Sequence, residues 1–192
     1  PLWNRKTIKS DVLYLSLEDT ERRIQARLLR ICDGETGKIT FATEAEILGN
    51  GFEQQISNYM KAHPETKLII VDTLIKVRDI GWSNSAYADD YAFMTVFKHL
   101  AERFDIAIVL VHHTRKQESQ DIMEMISGTN GIMGCADGAM VLERPKRLLP
   151  EASLSMTSRD FEDAKILLHQ NRETMCWEFA GFEDEQPPEA SD

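Results

Sequence analysis

The hydrophobic pattern of this chain centres on residues 67–73. Here four consecutive apolar residues, Leu68 to Val71, run directly into Asp72 and Thr73. An apolar run without alternation predicts a parallel β-strand that is covered on both faces. We therefore expect this strand to lie inside a sheet, with Asp72 at its carboxyl end.

Other apolar segments alternate with helical patterns and predict further strands. Residues 11–17, 107–111 and 139–144 combine β-branched and aliphatic side chains. Residues 38–41 predict a short edge strand. Strands that are separated by helical segments predict an α/β fold with a mostly parallel sheet.

Apolar residues at helical spacing predict three main helices between these strands. The first follows Asp19 or Thr20, either of which can cap it, and the second ends before Pro64. The third covers residues 91–104. Weaker patterns predict loops at residues 79–88 and 115–129 and a short helix at residues 132–136.

The pattern changes after Pro145 and Pro150. Residues 154–157, 164–169 and 176–179 predict short strands joined by turn residues. Such strands favour an antiparallel extension on the edge of the sheet. We therefore predict one α/β domain over residues 1–182, followed by an acidic tail over residues 183–192 that we expect to be disordered.

Composition narrows the class of protein. The 192 residues can form one domain with a substantial core, and they include no apolar run long enough to span a membrane. The three cysteines are far apart, which favours a reducing cytoplasm and argues against a zinc site or a disulfide framework. A net charge of −10 disfavours a protein that coats nucleic acid with its whole surface, but it leaves room for a local basic loop.

Polar residues suited to phosphate hydrolysis follow three of the predicted strands. These are Glu18-Asp19, Asp72-Thr73 and His112-His113. The carboxyl ends of neighbouring parallel strands meet at one crevice. There an Asp can hold Mg²⁺, a Glu can orient or deprotonate water, and a His can contact a terminal phosphate. An Asp that only caps a helix after its strand would give the same local pattern at Asp72.

Several segments in a fixed order carry a resemblance to a known family. They are residues 12–19 with Arg27 and Leu28, residues 68–73, 109–116, 127–131, 136–139 and 158–163. In type and order they resemble the RecA-like ATPases, most closely the RepA-type hexameric replicative helicases and their plasmid- and phage-borne relatives. The resemblance covers nearly the whole chain and implies a RecA-like sheet.

The resemblance also implies roles for the residues at the strand ends. Glu18 would be the catalytic carboxylate, and Asp72 would be the Walker B residue that holds Mg²⁺, with Thr73 beside it in the ATP site. His112 would sense the γ-phosphate. For His113, packing behind the site is the plainer interpretation.

Partners follow from the same resemblance. Arg144 would be an arginine finger that reaches the nucleotide of a neighbouring subunit, although a simple surface residue is the alternative. The loop at residues 115–127, with Arg115 and Lys116, would face the central channel of a hexamer and touch single-stranded DNA. An unpartnered loop is the alternative there.

One part of such an ATP site is missing from the sequence. No Gly-rich loop ending in Gly-Lys-Ser/Thr occurs in the 192 residues. Residues 33–40 contain Gly-Lys, but Ile follows, acids lie where phosphate would bind, and the segment follows a helix. In the family the P-loop precedes the strand at Val12, so we expect it to have been cut away, and we expect neither ATP nor Mg²⁺ to bind tightly.

The resemblance also implies that the missing P-loop strand leaves a gap in the sheet. It would lie between the strands at residues 107–111 and 139–142, so two apolar strand edges would face a gap. We expect these strands to close on each other, or two chains to associate, for example as a dimer.

A non-catalytic RecA-like assembly or regulatory module is the alternative function. An unrelated α/β hydrolase using Glu18 and His112 is a third, although it lacks a Gly-x-Ser-x-Gly turn.

Overall fold

The computed structural model describes residues 2–3, 6–32, 37–78, 86–113, 130–146 and 148–183. The chain divides into two compact units. The parallel-sheet unit contains residues 8–115 and 126–136, and the antiparallel-sheet unit contains residues 1–7, 116–125 and 137–192. The predicted loop at residues 115–129 and the tail after residue 183 lie outside the described residues.

The parallel-sheet unit is built on the strands that the apolar runs predict. They are β1 (Asp11–Ser16), β2 (Ile39–Ala42), β3 (Thr66–Asp72) and β4 (Ala107–Val111). Their order is β2-β1-β3-β4, and every neighbouring pair is parallel. The central position of β3 and the edge position of β2 are confirmed.

Helices connect these strands. They are α1 (Glu21–Ile31), α2 (Phe52–Ala62), α3 (Ala86–Phe104) and α4 (Asn130–Cys135), with a 3₁₀ helix at Leu74–Val77. Thr20 is the N-cap of α1, because its hydroxyl accepts a hydrogen bond from the N–H of Arg23. The prediction of a loop through residue 88 was wrong, since α3 already begins at Ala86.

One face of the parallel sheet forms the core of its unit. Leu13, Ile69 and Val71 are buried there with aromatic residues of α2 and α3, among them Phe52 and Phe97. On the opposite face of β3, side chains such as that of Ile70 are only partly buried. Full burial on both faces, which the apolar run predicted, is therefore not seen in β3.

The antiparallel-sheet unit contains the remaining strands. They are β5 (Gly138–Glu143), β6 (Glu151–Ser158), β7 (Ala164–Gln170) and β8 (Trp177–Phe182), in the order β5-β6-β7-β8. The predicted C-terminal antiparallel strands are confirmed, but in the described residues they form a sheet of their own and do not extend the edge of the parallel sheet. Leu154, Ile166 and Leu168 form its core, against which Trp3 and Trp177 pack.

The placement of the strand at residues 139–144 in the parallel series was wrong. β5 pairs antiparallel with β6, because the short connection between them allows a hairpin but not the crossover that parallel pairing needs. β4 and β5 therefore belong to different sheets in the described part of the chain, and they do not close directly on each other. Association of two chains stays a prediction.

Candidate functional site

The strand register brings three polar strand ends to one edge of the parallel sheet. Ser16 at the end of β1 lies opposite Asp72 at the end of β3, and Asp72 lies opposite Val111 at the end of β4. The N–H of Leu17 also donates a 2.6 Å hydrogen bond to the carbonyl oxygen of Asp72. Glu18, Asp72 and His112 thus share this edge, which we name the carboxyl edge.

Glu18 is held by the residue that follows Asp72. The Thr73 hydroxyl donates a hydrogen bond of 3.2 Å to Oε1 of Glu18. Thr73 is buried, whereas 42% of the Glu18 side chain is exposed. The carboxylate of Glu18 is therefore anchored from the protein side and open to solvent, as a group that activates water would need to be.

His113 faces the other oxygen of the same carboxylate. Its Nε2 lies 3.8 Å from Oε2 of Glu18, and its side chain is largely exposed. The pair attracts only when the imidazole is protonated. His112, which carries the predicted phosphate contact, is partly buried directly after β4.

Asp72 has a side-chain partner that the sequence did not indicate. The Tyr14 hydroxyl donates a 2.8 Å hydrogen bond to Oδ2 of Asp72. The Tyr14 ring lies 5.4 Å from the ring of Phe41 on the neighbouring strand. Burial, and then the hydrogen bond to Asp72, raise the pKa of the Tyr14 hydroxyl well above its ordinary value, so it remains a neutral donor.

Asp19 fixes the connection between β1 and α1. Its side chain is 11% exposed, and Oδ1 lies 3.2 Å from Nη1 of Arg23. The other oxygen accepts a hydrogen bond from Arg27. Both arginines project from the first two turns of α1, so these pairs tie the start of the helix to the residue after Glu18.

The other predicted site residues are not brought to this edge by any described contact. Arg144 lies in the antiparallel-sheet unit, where its Nε and Nη2 donate to the carbonyl oxygen of Leu149 at 2.9 and 2.8 Å. Its guanidinium also lies 5.6 Å from the Trp177 ring centroid. Arg115 and Lys116 lie outside the described residues, so their predicted DNA contact stays a prediction.

The carboxyl edge offers Mg²⁺ only one or two protein ligands. The described residues contain no cluster of three His, Cys, Asp or Glu side chains that could hold a metal ion. Mg²⁺ at nucleotide sites needs only one or two carboxylates, since phosphates and water supply its other ligands. Asp72, with Glu18 nearby, fits that requirement, whereas a Gly-Lys-Ser/Thr phosphate cradle is absent from the sequence.

Comparison with known families identifies the family of the chain. The family described as "AAA domain" matches residues 1–119, which is more than half of the 192 residues. The chain belongs to this AAA domain family. No curated protein sequence gives a significant match to this AAA domain.

Solved structures show which fold the AAA domain has. A solved structure described as an ATPase domain matches with a TM-score of 0.73 at 12% sequence identity, covering 88% of this chain and 74% of that one. The RadB recombinase matches with a TM-score of 0.55 at 11% identity, covering 86% and 77% of the two chains. These matches confirm the RecA-like fold that the sequence predicted, and at this identity they show the fold alone.

Proposed function

We propose that this AAA domain carries the carboxylate side of an ATPase site in a RepA-like replicative DNA helicase. The parent activity would couple ATP hydrolysis to movement along single-stranded DNA during plasmid, phage or mobile-element replication. The observation that carries this proposal is the link from Glu18 through Thr73 to Asp72 at the carboxyl edge. The RecA-like fold supports it.

Each residue of the carboxyl edge has a distinct task in this proposal. Asp72 would hold Mg²⁺, which neutralises charge on the nucleotide phosphates when it is bound. Glu18 would orient or deprotonate the attacking water, and Thr73 would keep the Glu18 carboxylate in position. His112 would contact the terminal phosphate.

The missing phosphate cradle limits what these 192 residues do alone. A P-loop supplies backbone N–H groups and a Lys to the phosphates, and each charge-assisted bond contributes about 1.5–3 kcal/mol. Without four such bonds, binding would be weaker by about 6 kcal/mol or more, at least about ten-thousandfold in affinity. A micromolar site would then bind ATP only at about tens of millimolar. Micromolar ATP·Mg binding by calorimetry would contradict this part of the proposal.

A chimera tests the catalytic assignment directly. A strand, P-loop and helix from the solved ATPase domain with the matching fold would be joined ahead of residue 1, and ATP hydrolysis would be measured. We expect Glu18→Gln to lower the hydrolysis rate about a hundredfold or more while ATP binding persists. The matched control is Glu21→Gln, an acidic residue in the first turn of α1. Equal rates for both variants would rule out Glu18 as the catalytic carboxylate.

DNA and subunit contacts belong to the same proposal. The basic residues Arg115 and Lys116 would contact single-stranded DNA in a homo-oligomer, with Arg144 reaching a neighbouring nucleotide.

The widely spaced, free cysteines fit a cytoplasmic protein. No described helix is long and apolar enough to cross a membrane.

A second candidate is a non-catalytic RecA-like module that assembles with or regulates other proteins. Both candidates predict the same fold, and both agree with the 192 residues, in which no Gly-Lys-Ser/Thr loop occurs. The coding sequence upstream of residue 1 separates the two candidates. A strand followed by a Gly-Lys-Ser/Thr loop there would support the enzyme, and its absence would support the non-catalytic module.

A further inference from the structure

We propose that Tyr14 is a positioning residue for Asp72 and, through Asp72, for the divalent cation. The inference rests on the proposed role of Asp72 as the metal residue. It assigns a task to a side chain that lies four residues before Glu18 and that is not itself a metal ligand.

Strand register places the two side chains within reach of each other. Tyr14 on β1 lies opposite Ile70 on β3, two residues before Asp72. Because side chains alternate along a strand, Tyr14, Ile70 and Asp72 project from the same face of the sheet. A diagonal pair of this kind is close enough for a long aromatic side chain, and the Tyr14 hydroxyl meets Oδ2 of Asp72 at 2.8 Å.

The ring that carries this hydroxyl is itself held in place. Tyr14 lies opposite Phe41 on β2, and the two ring centroids are 5.4 Å apart. On the other side, the Leu17 N–H holds the carbonyl oxygen of Asp72 at 2.6 Å. Tyr14 of β1 and Leu17, which directly follows β1, therefore hold one carboxylate oxygen and the backbone of Asp72.

The phenol suits this task because it donates without adding charge. A phenol is uncharged near neutral pH, so its hydroxyl can donate to Oδ2 of Asp72 without repelling the carboxylate. The Tyr14 hydroxyl takes one acceptor position on Oδ2 and so orients the carboxylate, whose other lone pairs can face a cation. Partners of this kind orient metal-binding carboxylates and typically change metal affinity about 10–100-fold when they are removed.

The test uses Mn²⁺ alone as the probe of the 192-residue chain. Selective broadening of backbone amide NMR signals near Asp72 reports even weak binding of this paramagnetic ion. We expect such broadening in the wild type and its loss in Asp72→Asn. In Tyr14→Phe, which keeps the ring, about tenfold more Mn²⁺ would be needed for the same broadening.

The matched control is Tyr59→Phe, since Tyr59 lies in α2 and stacks on His63 instead. The amide signals near Asp72 in Tyr59→Phe should broaden at the same Mn²⁺ concentration as in the wild type. If Tyr14→Phe fails to fold, Phe41→Leu keeps the phenol but loosens its ring, and we expect weaker Mn²⁺ binding there as well.

The outcomes separate the two proposals. Selective broadening in the wild type that is unchanged in Tyr14→Phe overturns the positioning role and leaves the metal role of Asp72 standing. Absence of selective broadening in the wild type overturns the metal role, and the role of Tyr14 with it.

Discussion

Arg78 and Asp90 form an ion pair of 2.6 Å in which the Asp90 side chain is 3% exposed. Arg78 follows the 3₁₀ helix after β3, and Asp90 lies in the first turns of α3. The guanidinium also lies 5.5 Å from the ring centroid of Phe93. This pair therefore attaches the segment that follows β3 to the first part of α3.

Removing one partner of this pair should be strongly destabilising. Arg78→Ala removes the cation that lies 2.6 Å from the buried carboxylate of Asp90, so we expect a loss of about 3 kcal/mol in the free energy of unfolding. Urea denaturation measures the loss. Lys38→Ala is the control, because it breaks the more exposed pair with Asp11 and should change stability by at most about 1 kcal/mol. Similar small losses in both variants would contradict a structural role for the buried pair.

Tyr14 should make the stability of the protein sensitive to high pH. Its pKa is raised in the folded state, whereas a tyrosine in the unfolded chain ionises near about pH 10. The unfolded chain therefore loses this proton first, and the contribution present at neutral pH declines as the pH rises above about 10. We expect the free energy of unfolding to fall less steeply with alkaline pH in Tyr14→Phe than in the wild type. Equal slopes in denaturation series would count against the shift.

The hydrogen bond between Thr73 and Glu18 should appear as a coupling energy. A double-mutant cycle with Thr73→Val and Glu18→Ala isolates this contact from the effects of each single change. We expect a coupling of about 1 kcal/mol, because Glu18 is partly hydrated and water replaces some of the lost bond. Additive single effects in chemical denaturation would mean that the two side chains do not interact in solution.

An open strand edge with apolar side chains should favour self-association. β5 is an edge strand of the described antiparallel sheet, and Met140 and Leu142 are 59% and 49% exposed on it. We expect light scattering to show a mass that rises with concentration, and Met140→Lys with Leu142→Lys to suppress the rise. Leu29→Lys in α1, where the native side chain is 68% exposed, is the control. A monomer at every concentration would contradict the predicted association.

The loop predicted at residues 115–127 gives a separate prediction about single-stranded DNA. Arg115→Glu with Lys116→Glu should weaken binding of a labelled oligonucleotide, measured by fluorescence anisotropy. Because each phosphate contact on single strands contributes about 0.7 to the salt dependence of binding, the slope against the logarithm of salt concentration should fall by about 1.4. Lys98→Glu with Arg103→Glu on α3 is the control, because it makes the same change in net charge outside residues 115–127. An unchanged slope in the loop variant would remove Arg115 and Lys116 from the DNA contact.

The parallel strands were predictable because the aliphatic runs that predict them are the segments that pair in the sheet. β1, β3 and β4 are compact aliphatic runs, and polar residues follow each of them. The pairing of β5 was not predictable in the same way. Its apolar run fits either sheet, and only the pairing with β6 decides between them.

The site was predictable only in part, for a similar reason. Glu18 and Asp72 stand out because acids directly follow apolar runs. Tyr14 looks like any strand-forming aromatic, and its contact with Asp72 depends on the register of β1 against β3. A shift of one residue would turn its side chain to the other face, and the sequence does not specify that register.

The antiparallel-sheet unit joins the two ends of the chain. The Trp3 indole N–H donates to the carbonyl oxygen of Trp177, 174 residues away, and Trp3 packs on the core of that sheet. During synthesis, residues 8–113 can pair β1 to β4 while the rest is still being made. The antiparallel core cannot be completed until β8 has left the ribosome. Until then Trp3 lacks Trp177 and the completed sheet against which it packs.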